Sequence, residues 1–142
     1  MSPPPAQPAA PRTTTYRHKV RYFEADQQGV VFNMWYLGYF DEAMTQYLEE
    51  GGLPYQRMLD AGFDVQLVRS EIDWASSLRW GDRAEVQVGL DKRGRTSFTL
   101  SFDVSAGGRP IAAAKTVYVV VATDGSGKQP IPDLLAEALG AQ

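Results

Sequence analysis

The chain contains no cysteine. That absence removes disulfides, thiolate nucleophiles and cysteine metal sites together. Histidine occurs once, at position 18. A multi-histidine metal centre is therefore excluded, and a Ser-His-Asp arrangement would have to use His18, beside which nothing resembles a nucleophile elbow. There is no basic stripe, and the formal net charge is −3, so nucleic acid is not an expected partner. No apolar run approaches the ~18 residues of a membrane span, so no membrane partner is expected. Any chemistry must come from carboxylates, hydroxyls, amides and backbone groups.

What is present fits one ordinary globular domain: 142 residues, with 44% hydrophobic and 22% charged residues. Residues 1–15, "MSPPPAQPAAPRTTT", are rich in Pro, Ala and Thr and lack the apolar core of a secretory signal. They are expected to form a disordered tail ahead of a single domain at 16–142, and a cytoplasmic location is the default. Residues 16–24 alternate loosely and predict a strand, with a loop after it. From Trp35 to Glu50 the pattern is helical, with Leu37, Phe40, Met44, Tyr47 and Leu48 on one face. Asn33 is the expected N-cap and Gly51-Gly52 the stop. Pro54 opens a short helical turn that Gly62 closes.

Beyond Gly62 the period changes to two. Residues 63–77 predict one long strand or two short ones. Ala84, Val86, Val88 and Leu90 alternate with polar neighbours, as do Phe98, Leu100, Phe102 and Val104. Residues 111–122 are apolar on both faces, as a central strand is, and Pro132 leads into a short terminal helix. The expected fold is α+β: about five strands, the last four an antiparallel meander, wrapped around one long helix.

The stretch "EADQQGVVFNMWYLGYF" (24–40) places Asp26 directly ahead of an apolar run. A helix N-terminus offers unpaired N–H groups and a partial positive charge. Gly29 lets the preceding loop fold back, so Asp26 could face those groups, with Val30, Val31, Phe32 and Trp35 excluding water. The plain alternative for Asp26 is a turn acid. Asn33 could serve as a cap, as a site amide, or both. Tyr36 and Tyr39 suit packing better than catalysis. His18, between charged residues, suits surface or edge packing. Glu71 and Asp73 share one strand face and suit the solvent side, although such a pair could also supply an acid to a neighbouring subunit. Lys92, Arg93 and Arg95 form the one compact basic cluster, at a hairpin tip.

The pattern D-Q-Q-G-V-V-F-N-x-x-Y-L-x-Y-F-D-E-A, dense across residues 22–43, resembles the signature of the hotdog-fold acyl-CoA thioesterases of the 4-hydroxybenzoyl-CoA thioesterase-like group. The resemblance implies an acyl-CoA thioesterase with Asp26 as nucleophile or general base on water. The oxyanion donor would be a backbone N–H in the Phe32–Met34 region, and Gly29, Val30, Val31, Trp35 and Tyr36 would line the pocket. Asn33 stands where many members have His, and Trp35 where many have Asn. Lys92, Arg93 and Arg95 would hold the phosphates of coenzyme A, which is part of the substrate. No metal or prosthetic group is implied. A homodimer through sheet extension, or a homotetramer, is expected. The rivals are a carrier-protein thioesterase of polyketide or fatty-acid release, a non-catalytic acyl-CoA-binding module and, more weakly, a hydratase, for which His18 is poorly placed.

Overall fold

Along the strand Arg83–Arg93, Ala84, Val86, Val88 and Leu90 are buried while Arg83, Glu85 and Gln87 are exposed. That period of two gives a half-buried sheet with one face available to a helix. In the computed structural model, which describes residues 12–140, the strands are β1 (Thr13–Lys19), β2 (Phe63–Trp74), β3 (Arg83–Arg93), β4 (Ser97–Ala106) and β5 (Arg109–Ala122). The helices are α1 (Trp35–Glu50), α2 (Tyr55–Asp60) and α3 (Asp133–Leu139), with a single 3-10 turn at Tyr22–Glu24. One antiparallel sheet has the order β1-β3-β4-β5-β2. This is the expected five-stranded sheet around a central helix, the hotdog architecture.

Three expectations about the frame need correction. Strand β1 begins at Thr13, so three residues assigned to the tail by composition belong to the sheet. Residues 1–11 lie outside the described residues. The strand ends at Lys19, not at residue 24, because the Glu24 side chain accepts the Arg21 N–H at 2.7 Å and closes a local turn instead. Finally, only β3, β4 and β5 form a meander. Strand β2 pairs with β5 at the far edge, and the segment 75–82 carries the chain back to β3, beside β1. A bulge between Leu67 and Arg69 interrupts the β2 pairing, and Leu67 and Val68 are exposed, as befits an edge strand.

Helix α1 has the predicted limits. Its buried face is Tyr36, Tyr39, Phe40, Ala43, Tyr47 and Leu48, rotated from the predicted stripe so that Leu37 and Met44 are only half-buried. Phe40 stacks on Phe102 of β4 with ring centroids 4.7 Å apart; burying each such side chain contributes about 1.5–3 kcal/mol. Tyr47 is fully buried and donates its hydroxyl to the Leu139 carbonyl at 2.7 Å, which ties α3 across the helix end. Gly51 lies so close to the Ala138 carbonyl that a Cβ would collide with it.

At the other end the N-cap is Met34, with helical φ −66° and ψ −24° and no side-chain cap. Asn33 is therefore not the side-chain cap that its residue type suggested. It contributes its carbonyl instead, which accepts the Tyr36 N–H at 3.2 Å.

Candidate active site

Residues 24–32 form a small hairpin at the start of α1. The Glu24 carbonyl accepts the Phe32 N–H at 3.0 Å, and the Val30 carbonyl accepts the Asp26 N–H at 2.8 Å. The Asp26 carbonyl accepts the Gly29 N–H at 3.0 Å. Gly29 has φ +78°, which a side chain would strain. Asp26 Oδ1 accepts the N–H of Gln28 at 2.8 Å and of Val30 at 3.4 Å, an Asx turn. Both readings of Asp26 thus share one geometry: it is a turn acid through Oδ1, while Oδ2 has no donor among the described residues. The hairpin is seated on the 75–82 connection by the Val31 N–H, which donates to the Leu78 carbonyl at 2.8 Å.

The backbone donors at the helix entry can be sorted one by one. The Phe32 N–H is taken by Glu24, which removes it from the expected oxyanion group. Trp35 donates to the Phe32 carbonyl at 3.0 Å and Tyr36 to the Asn33 carbonyl. Among the described residues, the N–H groups of Asn33 and Met34 have no acceptor, and both residues are exposed.

The expected pocket residues divide into two groups. Val31 and Tyr36 are buried beneath the hairpin, and the Tyr36 hydroxyl accepts the Leu78 N–H at 3.2 Å. They are floor and core, not wall, because the pairing with Leu78 turns them inward. Gly29, Val30 and Trp35 lie on the open side. Asp26 is exposed in the single protomer, not enclosed as expected. An open cleft of about 540 Å³ beside it is lined by Tyr22, Phe23, Ala25, Asp26, Gln27, Gly29 and Trp80. Tyr22 packs edge-on to Trp80, and Phe23 to Trp35, with centroids 5.8 and 5.5 Å apart. Tyr22, Phe23, Phe32, Met34 and Trp80 are all more than half exposed. So much apolar surface in one place is unusual on a lone domain.

A second cleft, of about 260 Å³, lies between α1, α2 and β2, with Asp41, Met44, Thr45, Met58, Val65 and Tyr118 among its walls. Met34, Gly38, Asp41, Thr45 and Leu48 follow one another at helical spacing, so one face of α1 runs from the free N–H groups into this cleft. A Cβ built on Gly38 would meet nothing within 4 Å, so the floor between the two ends is open. Desolvation raises the Asp41 carboxyl above its ordinary range, and Tyr118 donates its hydroxyl to Asp41 Oδ1 at 3.4 Å. Sequence reading missed Asp41. The only signal available was its position seven residues after Met34.

Comparison with known proteins decides the family. The profile of the thioesterase-like superfamily matches residues 13–139. The chain belongs to that superfamily. A crystal structure of an Aquifex aeolicus protein superposes with a TM-score of 0.84 at 32% identity, covering 89% of this chain and 98% of that one. The 1,4-dihydroxy-2-naphthoyl-CoA hydrolase of Synechococcus elongatus is 25% identical over 126 residues, covering 87% of this chain and 93% of the relative. The 1,4-dihydroxy-2-naphthoyl-CoA thioesterase structure from Synechocystis superposes with a TM-score of 0.81 at 26% identity, covering 90% and 96%. The protein is a thioester hydrolase of the hotdog fold.

Within one protomer of this thioesterase the predicted basic cluster does not join the others. Asp26 lies beside Val30, which bridges to Arg79 just before β3 begins. Lys92 and Arg93 end the same strand, ten residues beyond Arg83, or ~33 Å away at ~3.3 Å per residue. Arg93 and Arg95 contact the C-terminal segment there: Arg93 donates to the Ala136 carbonyl at 3.5 Å, and the Arg95 carbonyl accepts the Ile131 N–H at 2.8 Å. Glu71 and Asp73 are exposed. Among the described residues no helix is long and apolar enough to cross a membrane.

Of the two expected readings of His18, edge packing stands and surface exposure does not: it lies on the edge strand β1 with its side chain largely covered. Its Nε2 lies 2.9 Å from Glu24 Oε1, its Nδ1 lies 3.0 Å from the Tyr16 hydroxyl, and its ring packs on Tyr39 with centroids 4.3 Å apart. Glu24 is 3% exposed. Burial opposes its charge, but the Arg21 N–H and His18 outweigh that cost and lower its carboxyl below the ordinary range. A lowered folded value means that Glu24 stabilises the fold fully above the unfolded carboxyl range, near 4.3, and that this stability is lost as pH falls through the lower folded value. Thermal melts of wild type and Glu24→Gln should therefore differ most at pH 6 and converge progressively below pH ~4.

Proposed function

We propose that the enzyme hydrolyses an acyl-CoA thioester carrying a hydroxylated aromatic acyl group. The observation that carries this reading is the hairpin that holds Asp26 and the acceptor-free N–H groups of Asn33 and Met34 at one helix entry. The thioester carbonyl oxygen accepts those N–H groups, whose partial positive charge grows in value as the oxygen becomes an oxyanion. Asp26 Oδ2 either attacks the carbonyl carbon, giving a mixed anhydride that water then opens, or takes a proton from the water that attacks. In both routes the C–S bond breaks, the thiolate of coenzyme A leaves, and the free acid remains. The reaction needs no metal or prosthetic group.

The α1 face running from Met34 to Asp41 suits the acyl group. Seven residues of helix span ~10 Å, room for a ring system whose phenolic hydroxyl reaches Asp41 and Tyr118. The names of the Synechococcus and Synechocystis relatives, which act on 1,4-dihydroxy-2-naphthoyl-CoA, support this class of substrate. Gly38→Leu fills the groove floor while improving helix propensity. The variant should melt no lower than wild type yet lose at least tenfold in kcat/KM on aromatic acyl-CoA substrates; an unchanged value removes the groove from the account.

Asp26 in an open cleft reacts poorly, because water competes for it. The aromatic patch around it is covered by a second copy of the chain in our reading, with the unpaired β2 edge extending the sheet. Sedimentation velocity at micromolar concentration should give a dimer or tetramer; an active monomer contradicts this arrangement. A carrier-bound thioester is the second reading, favoured by the separation of Lys92, Arg93 and Arg95 from Asp26 within a protomer. Equal kcat/KM on acyl-CoA and acyl-pantetheine decides for it.

A further inference from the structure

Glu24 holds both halves of the site through different atoms. Its carbonyl accepts the Phe32 N–H at 3.0 Å, immediately before the donors of Asn33 and Met34. Its own backbone lies two residues from Asp26. Its side chain turns the other way, into the core, where Oε1 accepts from the Arg21 N–H and from His18. A carboxylate can only accept, so His18 Nε2 carries the hydrogen, and Nδ1 faces the Tyr16 hydroxyl. The ring is clamped against Tyr39 of α1, whose buried hydroxyl makes no hydrogen bond of standard geometry among the described residues but lies beside the Glu24 carboxylate. One imidazole thus ties β1, the 3-10 turn and α1 to the root of the hairpin.

A buried ionisable pair is a poor way to gain stability, since apolar side chains of the same volume hold a core as well or better. Its particular gift is direction: a charge-assisted bond is short and aligned, and it fixes where its two ends sit. We propose that His18 and Glu24 are positioning residues that set the hairpin, and with it the separation between Asp26 and the helix-entry N–H groups. This rests on the thioesterase mechanism given above. Neither residue touches substrate.

His18→Phe keeps the ring packed on Tyr39 but removes the donor, and His18→Gln restores a neutral N–H donor. Steady-state kinetics and amide hydrogen exchange on the full-length enzyme test the idea. His18→Phe should lower kcat at least tenfold with KM within twofold, and speed exchange of the Phe32 and Val30 amides about tenfold while central β4 and β5 amides stay protected. His18→Gln should return kcat to within threefold of wild type. Should His18→Phe not fold, Glu24→Gln takes its place, with a smaller fall in kcat and the same localised exchange. Wild-type kcat, loss of kcat without faster exchange at Phe32, or exchange raised throughout the sheet with no rescue by Gln would each overturn the proposal. Asp26→Asn run in parallel keeps the two ideas apart. Full activity there removes the mechanism, and the exchange at Phe32 still decides whether His18 holds the hairpin.

Discussion

Asp26→Asn should lower kcat by a hundredfold or more while leaving the fold and the affinity for coenzyme A nearly intact. The substitution is unusually clean at this position. Asparagine retains the Oδ1 acceptor that receives the Gln28 and Val30 N–H groups, so the Asx turn survives. What changes is the other atom, where an amide NH₂ replaces the oxygen that would attack the carbonyl or activate water. Loss of kcat with little change in KM is the signature of an interaction made only in the transition state. A variant that turns over at the wild-type rate would remove Asp26 from the chemistry. Single-turnover hydrolysis in oxygen-labelled water then bears on its two roles, because label enters the protein only by direct attack, with water opening the anhydride at the Asp26 carboxyl carbon, and never by activation of water.

Asn33→Pro should cost a further large factor by a different route. Asn33 is the second residue of the turn from Phe32 to Trp35, whose carbonyl-to-amide bond is 3.0 Å. Proline is favoured there because its fixed φ suits the turn. The preceding residue must then be extended, which agrees with the strand-like pairing of Phe32 with Glu24. The Asn33 N–H has no acceptor among the described residues, so proline removes no internal hydrogen bond. If that N–H meets the oxyanion, kcat falls by about 10²–10³. Asn33→Ala, which keeps the N–H and deletes only the side-chain amide, should stay within about tenfold of wild type. Matching losses in the two variants would place the effect in the side chain, and no loss in the proline variant would take Asn33 out of the oxyanion site.

Local signals carried much of the fold. The helical period and Gly51-Gly52 define α1 to the residue, and the alternation of β3 and β4 is visible because one face is buried and the other wet. What pairing decides was hidden. Nothing local to β2 says that its partner is β5 and not β3, since that choice depends on where the connection at 75–82 can run. The β1 start was masked by Pro-rich neighbours, although Thr13–Thr15 are good strand formers. The site was legible in the same uneven way. Asp26 and Gly29 announce a tight turn ahead of a helix, so their place in one hairpin could be read directly. His18 suited the surface as well as an edge, and nothing in the sequence set Glu24 apart, because only the packing of α1 over β1 encloses them. Asp41 carried no signal of its own until the cleft beside Tyr118 gave it surroundings.

The account turns on Asp26 and the Asn33 N–H meeting at one thioester. A crystal structure of Asp26→Asn with an aromatic acyl-CoA bound tests it most directly. The carbonyl oxygen should lie at hydrogen-bond distance from the Asn33 N–H, with the substituted side chain against the carbonyl carbon or bridged to it by one water. A thioester seated anywhere else, with the helix-entry amides facing only solvent, would contradict it.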